Sequence, residues 1–221
     1  MLLAVDCGNT NIVMSVFDDE AICCQWRLET KGPQSGKAYL DVLTQQLTKI
    51  SCSPQDIDGC VIASVVPDIT PHLSSFATNI LGVVPVIVGA PGVTLALEID
   101  IDNPAEVGAD RLVNAVAVAH LGLVPAIVVD FGTATTFDIV RTAQTDKHKA
   151  CYAGGVISPG VHRSSEALAM AAAQLPQISV DQFDAQLPVL GTSTVSAMRS
   201  GVLWGYVGLV EGILARLEAE A

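Results

Sequence analysis

Positive charge is scarce in this chain. Lysine and arginine make up 11 of 221 residues, against 23 aspartates and glutamates, for a formal net charge of −12. The basic residues form no cluster. Nucleic acid and anionic membranes select for basic patches, so neither is expected as a partner. An acidic protein that binds an anionic nucleotide must do so locally, through backbone donors and a cation. Metal-ligand cysteine spacing is also missing: Cys7, Cys23, Cys24, Cys52, Cys60 and Cys151 contain no CxxC pair. Reduced, mostly buried thiols in a cytoplasmic protein are the expectation. His72, His120, His148 and His162 are scattered and suggest no metal centre. No apolar run reaches the roughly 18 residues of a membrane span. The first apolar stretch is interrupted at Asp6, too early for a secretory signal.

What is present is a repeat. Leu2-Leu3-Ala4-Val5 runs into Asp6-Cys7-Gly8-Asn9-Thr10, and Ala126-Ile127-Val128-Val129 runs into Asp130-Phe131-Gly132-Thr133-Ala134-Thr135. Each time an acid ends a strand, a glycine follows two residues on, and a second strand-like run begins. Two such devices can face each other across a cleft. Glycine lets backbone approach a ligand closely. Backbone N–H groups and hydroxyls then meet phosphate oxygens, while the acids hold a cation. Either loop alone reads equally as an ordinary turn, where Asp, Gly and Asn are common. The repetition in near-identical context favours a phosphate clamp. Within the first loop, the Cys7 side chain is expected to point away from the ligand.

Half of the residues are hydrophobic, enough for a sizeable core in one large domain or two small ones. Strands are expected at 2–6, 12–17 and 21–29, a helix at 37–50, a buried strand at 60–66, a helix at 69–81 and a strand at 84–88. Asn103-Pro104-Ala105-Glu106 supplies a cap, a first-turn proline and an acid, which predicts a helix over 104–121. Strands at 126–130, 135–140 and 151–157 follow, then a helix at 162–173, a loop with Pro176 and Pro188, and a long helix from Thr194. Ser193-Thr194 reads as its N-cap. Gly201, Gly205, Gly208 and Gly212 share one face of that helix, which predicts close packing against another element. The order fits mixed sheets with helices packed on them.

Gly108-Ala109-Asp110-Arg111 falls inside the predicted 104–121 helix. Asp110 and Asn114 then share a face with Val107 and Ala117. A carboxylate on a mostly apolar face is partly desolvated and suited to act as a base, and Arg111 is placed to grip a carboxylate. A surface Asp–Arg pair explains the same residues equally well. Gly154-Gly155-Val156-Ile157-Ser158-Pro159-Gly160 is a glycine-rich strand exit, unspecific alone.

Taken together, DCGNTN (6–11), DNPAEVGADR (102–111), DFGTATTFD (130–138), GGVISPG (154–160) and TVSAMRSGVLWG (194–205) resemble the type III pantothenate kinases. These belong to the acetate and sugar kinase, Hsp70 and actin superfamily. The motifs stand in the family's order and span nearly the whole chain. The resemblance implies an α/β, duplicated ribonuclease H-like (actin/Hsp70-type ATPase) fold, two mixed-sheet halves with a cleft between them. Residues 1–121 would form one half and 122–221 the other. It implies a reaction in which the primary hydroxyl of pantothenate attacks the γ-phosphate of ATP, giving 4′-phosphopantothenate, the first step toward coenzyme A. By residue, Asp6, Cys7, Gly8, Asn9, Thr10, Asn11, Ile12 and Val13 would bind ATP phosphates, with Thr133 also on the nucleotide. Asp6 would help position Mg²⁺, and Asp130 would hold the monovalent cation, K⁺ or NH₄⁺. Gly108, Ala109, Asp110 and Arg111 would bind pantothenate, Asp110 as proton acceptor, and Thr194 would also contact it. A homodimer is implied, its pantothenate pocket completed by the neighbouring subunit.

Two departures stand out. Family members commonly carry a tyrosine before the Asp-Asn-Pro segment, where this chain has Ile101. The family also continues for some tens of residues past the last motif, through a Thr-Gly-Gly segment and a closing helix. The expectations are a substrate pocket lacking one ring and hydroxyl, and an unpaired sheet edge. The competing reading is a catalytically weak or inactive relative acting as a binding or regulatory accessory protein. A sugar or acetate kinase of the same superfamily is disfavoured by the GADR segment.

Overall fold

The computed structural model describes residues 1–32, 35–145, 147–171, 175–180 and 186–220. The chain opens with β1 (Leu2–Cys7), β2 (Asn11–Asp18), β3 (Ala21–Glu29), α1 (Gly36–Thr48), β4 (Gly59–Ser64), α2 (Thr70–Phe76) and β5 (Val86–Ile87). A short β6 (Glu98–Ile99) and α3 (Ala109–His120) follow. Then come β7 (Ala126–Phe131), β8 (Ala134–Thr142), β9 (Ala150–Pro159), α4 (Val161–Ala171) and α5 (Thr194–Glu220). Two compact units result: Met1–Ala96 with Asp102–Ala117, and Leu97–Ile101 with Val118–Ala221.

In the first unit the strand order is β3-β2-β1-β4-β5. The first three strands are antiparallel and the last two join in parallel, which is the order of a ribonuclease H-like sheet. Pleating sends Leu3, Val5 and Cys7 of β1 to one face, all buried. Across the core, α1 presents Tyr39, Leu43 and Leu47 at four-residue spacing, a single apolar stripe. Ser35 caps that helix by accepting the Ala38 N–H at 3.2 Å. Tyr39 and Phe76 close the layer with ring centroids 5.5 Å apart. Beyond α2 the helical path loosens into one wide turn, Ala77–Leu81, and stops at Gly82, whose φ of 72° suits glycine.

The second unit repeats the opening of the first. Strands β7, β8 and β9 form an antiparallel meander, with β6 added in parallel to β9, in the order β6-β9-β8-β7. β7 is therefore an edge strand among the described residues. Its core joins Phe137 and Ile139 of β8 to Leu209, Ile213 and Leu217 of α5.

Two expectations change. The helix predicted over 104–121 is broken: Pro104–Glu106 makes one tight turn, Val107 is extended, and α3 begins only at Ala109. Asn103 does not cap it; its Nδ2 donates to Glu106 Oε1 at 2.7 Å, so the pair closes a local turn. Strand β6 is two residues long and carries too little pattern to be read in advance. Among the described residues, an added Cβ at Gly201, Gly205 or Gly208 of α5 would find nothing within 4 Å, so the glycine face is open within the single chain. The predicted end of α4 at 173 lies outside the described residues. All six cysteines are free thiols, with Cys7, Cys60 and Cys151 buried. Among the described residues no helix is long and apolar enough to cross a membrane.

Candidate active site

The first repeated loop is the β1–β2 hairpin. Asp6 pairs with Val13 and Cys7 with Ile12, and the Gly8 N–H closes the turn on the Asn11 carbonyl at 2.9 Å. Strand alternation decides which side chains are available. Asp6, Asn9 and Thr10 are exposed, Gly8, Asn11 and Val13 are half-buried, and Cys7 and Ile12 lie in the core. Cys7 and Ile12 thus offer backbone alone to a ligand. Burial pushes the Cys7 thiol up, partly opposed by a hydrogen bond with Ser64. That environment disfavours the reactive thiolate.

A residue not expected from the sequence holds this loop. Thr30 directly follows β3 and is 3% exposed. Its N–H donates to the Thr10 carbonyl at 3.0 Å, and its hydroxyl donates to the Gly8 carbonyl at 2.6 Å.

The second loop repeats the arrangement between β7 and β8. Asp130 pairs with Thr136 and Phe131 with Thr135, and the Gly132 N–H donates to the Ala134 carbonyl at 3.0 Å. Asp130, Gly132 and Thr133 are exposed. Gly160 directly follows β9 and donates its N–H to the Thr133 carbonyl at 3.1 Å. A Cβ at position 160 would collide with the Gly132 and Thr133 carbonyl oxygens. Tyr206 of α5 flanks the same loop. Its hydroxyl is hydrogen-bonded to the buried Thr135 hydroxyl, and its ring centroid lies 6.5 Å from that of Phe131. The last acid of the DFGTATTFD motif has another task. Asp138 is fully buried, accepting from Tyr152 Oη at 2.8 Å and Thr136 Oγ1 at 3.2 Å.

Gly108, Ala109, Asp110 and Arg111 sit at the start of α3 and not inside a longer helix. The Arg111 N–H donates to Asp110 Oδ1 at 2.8 Å, so the carboxylate folds back over its own first turn. That position suits an anion, because helix N-termini present free N–H groups. Gly108 makes room for it: a Cβ there would lie 2.5 Å from Asp110 Oδ1. Against Gly108 and Ala109 lies a cavity of about 680 Å³, also lined by Ser64, Val65, Thr70 and Val107. Its polar floor is a hydroxyl chain, with Thr70 Oγ1 donating to Ser64 Oγ at 2.7 Å. A cavity of this size and mixed lining suits a small organic ligand. The parallel pairing of β1 with β4 sets Ser64 beside Cys7, and Val65 N–H donates to the Cys7 carbonyl at 3.0 Å. The first loop and the GADR turn are therefore neighbours across the end of β4.

Thr194 is exposed at the first position of α5. Ser193 precedes it as the cap, accepting the Ser196 N–H at 3.2 Å while its own N–H donates to Ser196 Oγ at 2.9 Å. By unit, Asp6–Val13 and Gly108–Arg111 belong to the first, and Asp130, Thr133 and Thr194 to the second. Among the described residues no group of three or more His, Cys, Asp or Glu side chains is placed to hold a metal. Asp6 and Asp130 are exposed single carboxylates, one at each loop, a donor type that suits a cation shared with phosphate oxygens.

A family model described as type III pantothenate kinase matches residues 2–216. The chain is 45% identical over 220 residues to a type III pantothenate kinase of Rhodospirillum centenum, spanning 100% of this chain and 81% of the relative. It is 46% identical over 220 residues to that of Paramagnetospirillum magneticum, with the same coverage. Among solved structures, a Baf family protein from Campylobacter jejuni superposes with a TM-score of 0.51 at 19% identity, over 96% of this chain and 78% of that one. That likeness supports the shared fold.

Tyr206→Phe tests the support of the second loop. It keeps the ring against Phe131 and removes the hydroxyl partner of buried Thr135. The expected loss is about 1–3 kcal/mol of stability, read from urea unfolding midpoints, with an unchanged native circular dichroism spectrum.

Proposed function

The chain belongs to the type III pantothenate kinase family, and on that premise we propose which of its residues carry the transfer. The reaction is the ATP-dependent phosphorylation of pantothenate, the entry step of coenzyme A biosynthesis. Phosphoryl transfer asks a protein for positioning and charge neutralisation more than for covalent chemistry. The observation that carries the assignment is the combination of a twice-repeated Asp-x-Gly hairpin with a carboxylate at a helix start beside a cavity.

In this reading the halves about 1–121 and 122–221 each bring one phosphate loop. Asp6 to Val13 hold ATP phosphates mainly through backbone N–H groups, and Thr133 adds its hydroxyl. The cavity beside Gly108 and Ala109 takes pantothenate. Its apolar walls suit the branched carbon skeleton, and the Ser64–Thr70 hydroxyls suit the polar groups. Arg111 grips the pantothenate carboxylate. Asp110 accepts the proton of the attacking hydroxyl, and the Arg111 N–H holds it in place for that. Thr194 contacts the same substrate. Asp6 would hold Mg²⁺ and Asp130 K⁺ or NH₄⁺, cations that neutralise phosphate charge when bound. The protein acts in the cytoplasm as a homodimer. The open glycine face of α5, at Gly201, Gly205 and Gly208, is the surface proposed for the second copy.

ADP release with pantothenate and MgATP tests the assignment. Asp110→Asn is expected to lower turnover at least about 100-fold while the circular dichroism spectrum stays native. Turnover within about twofold of the parent would remove Asp110 from the base role. Replacing K⁺ by Na⁺ is expected to cut the rate about tenfold or more, and EDTA to abolish it; equal rates in both salts would exclude a selective cation at Asp130. Light scattering should return twice the 23.0 kDa chain mass; a monomer at micromolar concentration would exclude the dimer.

A further inference from the structure

The two loops share a third element, which lies in no motif at Thr30 and at the end of the GGVISPG segment at Gly160. In each unit, the residue directly after the third strand of the meander donates its N–H to the carbonyl of the loop threonine. Thr30 does so to Thr10 at 3.0 Å, and Gly160 to Thr133 at 3.1 Å. We propose that Thr30 and Gly160 are positioning residues for the nucleotide, each fixing the peptide orientation of the loop it backs. This rests on the reading that the two loops hold ATP phosphates.

The physical reason is peptide planarity. The 8–9 peptide is trans, so the Gly8 carbonyl and the Asn9 N–H point in opposite directions. The Thr30 hydroxyl ties that carbonyl toward β3 at 2.6 Å. The Asn9 N–H is thereby turned to the other side, away from β3, where Asn9 is exposed. Without the tie the peptide can rotate and offer a carbonyl to an approaching phosphate, replacing attraction by repulsion. Thr30 is 3% exposed, so its hydroxyl serves the loop and not solvent. At the second loop the space a side chain would need is occupied. The backbone of Gly160 packs directly on the Gly132 and Thr133 carbonyls. Only its N–H does the tying. Gly160 has no positive φ, so an alanine there is resisted by the loop contact and not by its own backbone.

The test measures KM for ATP and for pantothenate, with calorimetric affinity for a non-hydrolysable ATP analogue. Thr30→Val keeps the shape and removes the donor. It should raise KM for ATP and the analogue Kd about five- to tenfold, with KM for pantothenate within about twofold. Thr30→Ser restores the donor and should return both values to near the parent. Gly160→Ala should weaken the analogue about tenfold or more. The proposal is overturned if Thr30→Val and Gly160→Ala bind the analogue as the parent does, or if Thr30→Ser is as impaired as Thr30→Val. A parallel rise in both KM values would also overturn it, since that marks general loss of structure. Thr133→Ala separates phosphate binding from loop positioning. If it weakens ATP while Thr30→Val and Gly160→Ala do not, the loops bind phosphate and the positioning role fails. If Thr133→Ala is silent as well, the phosphate-loop reading fails and this inference falls with it. Should Thr30→Val not fold, Gly160→Ala and Thr30→Ser decide.

Discussion

The pairing of β1 on both of its edges is the constraint on which the first unit depends. On one side β2 runs antiparallel, and the hairpin between them is the first loop. On the other side β4 runs parallel, and its end carries Ser64 and Val65 to the cavity beside α3. One strand therefore sets the register of a loop and of a pocket wall together. The pleat does the rest, sending Cys7 inward and Asp6 outward. A one-residue slip would exchange these two side chains, burying a carboxylate and exposing a thiol.

The second unit uses the same meander with different packing. Its loop is one residue shorter, Gly132-Thr133 against Gly8-Asn9-Thr10. α5 covers its sheet and braces the loop through Tyr206. Buried Asp138 ties β8 to β9 through Tyr152. A buried carboxylate demands such partners, because leaving it without them is costly. The acids of the DFGTATTFD segment thus divide their labour: Asp130 is exposed at the loop and Asp138 is internal.

Much of this was legible in the residues. The acid, the glycine two places on and the following strand repeat in sequence, and alternation alone places Cys7 in the core. The family resemblance rests on local motifs: the two hairpins, the start of α3, the end of β9 and the first half of α5. What the sequence does not reveal arises from chain segments meeting across a sheet. Thr30 reads as the first residue of a polar loop, and only the β2–β3 pairing brings it against Gly8 and Thr10. Ser64 and Thr70 look like ordinary polar residues at the ends of a strand and a helix until the parallel β1–β4 pair sets them under Gly108. The start of α3 differs from the sequence expectation for a local reason. Asn103-Pro104-Ala105-Glu106 has the composition of a helix cap, but the Asn103 amide spends itself on the Glu106 carboxylate. The turn closes, Val107 extends, and a new helix starts where Gly108 allows the Asp110 carboxylate to fold back.

The two supports also differ in how much change they tolerate. At position 30 the loop is tied by one hydroxyl and one N–H, so any residue bearing a hydroxyl of similar reach can keep both ties. At position 160 the volume of a side chain is already filled by backbone oxygens, which leaves a single acceptable residue type. The first copy of the duplicated device thus retains room for evolutionary drift that the second has lost. In a directed-evolution library aimed at altered nucleotide preference, position 30 can exchange between threonine and serine, while position 160 is a site to leave alone.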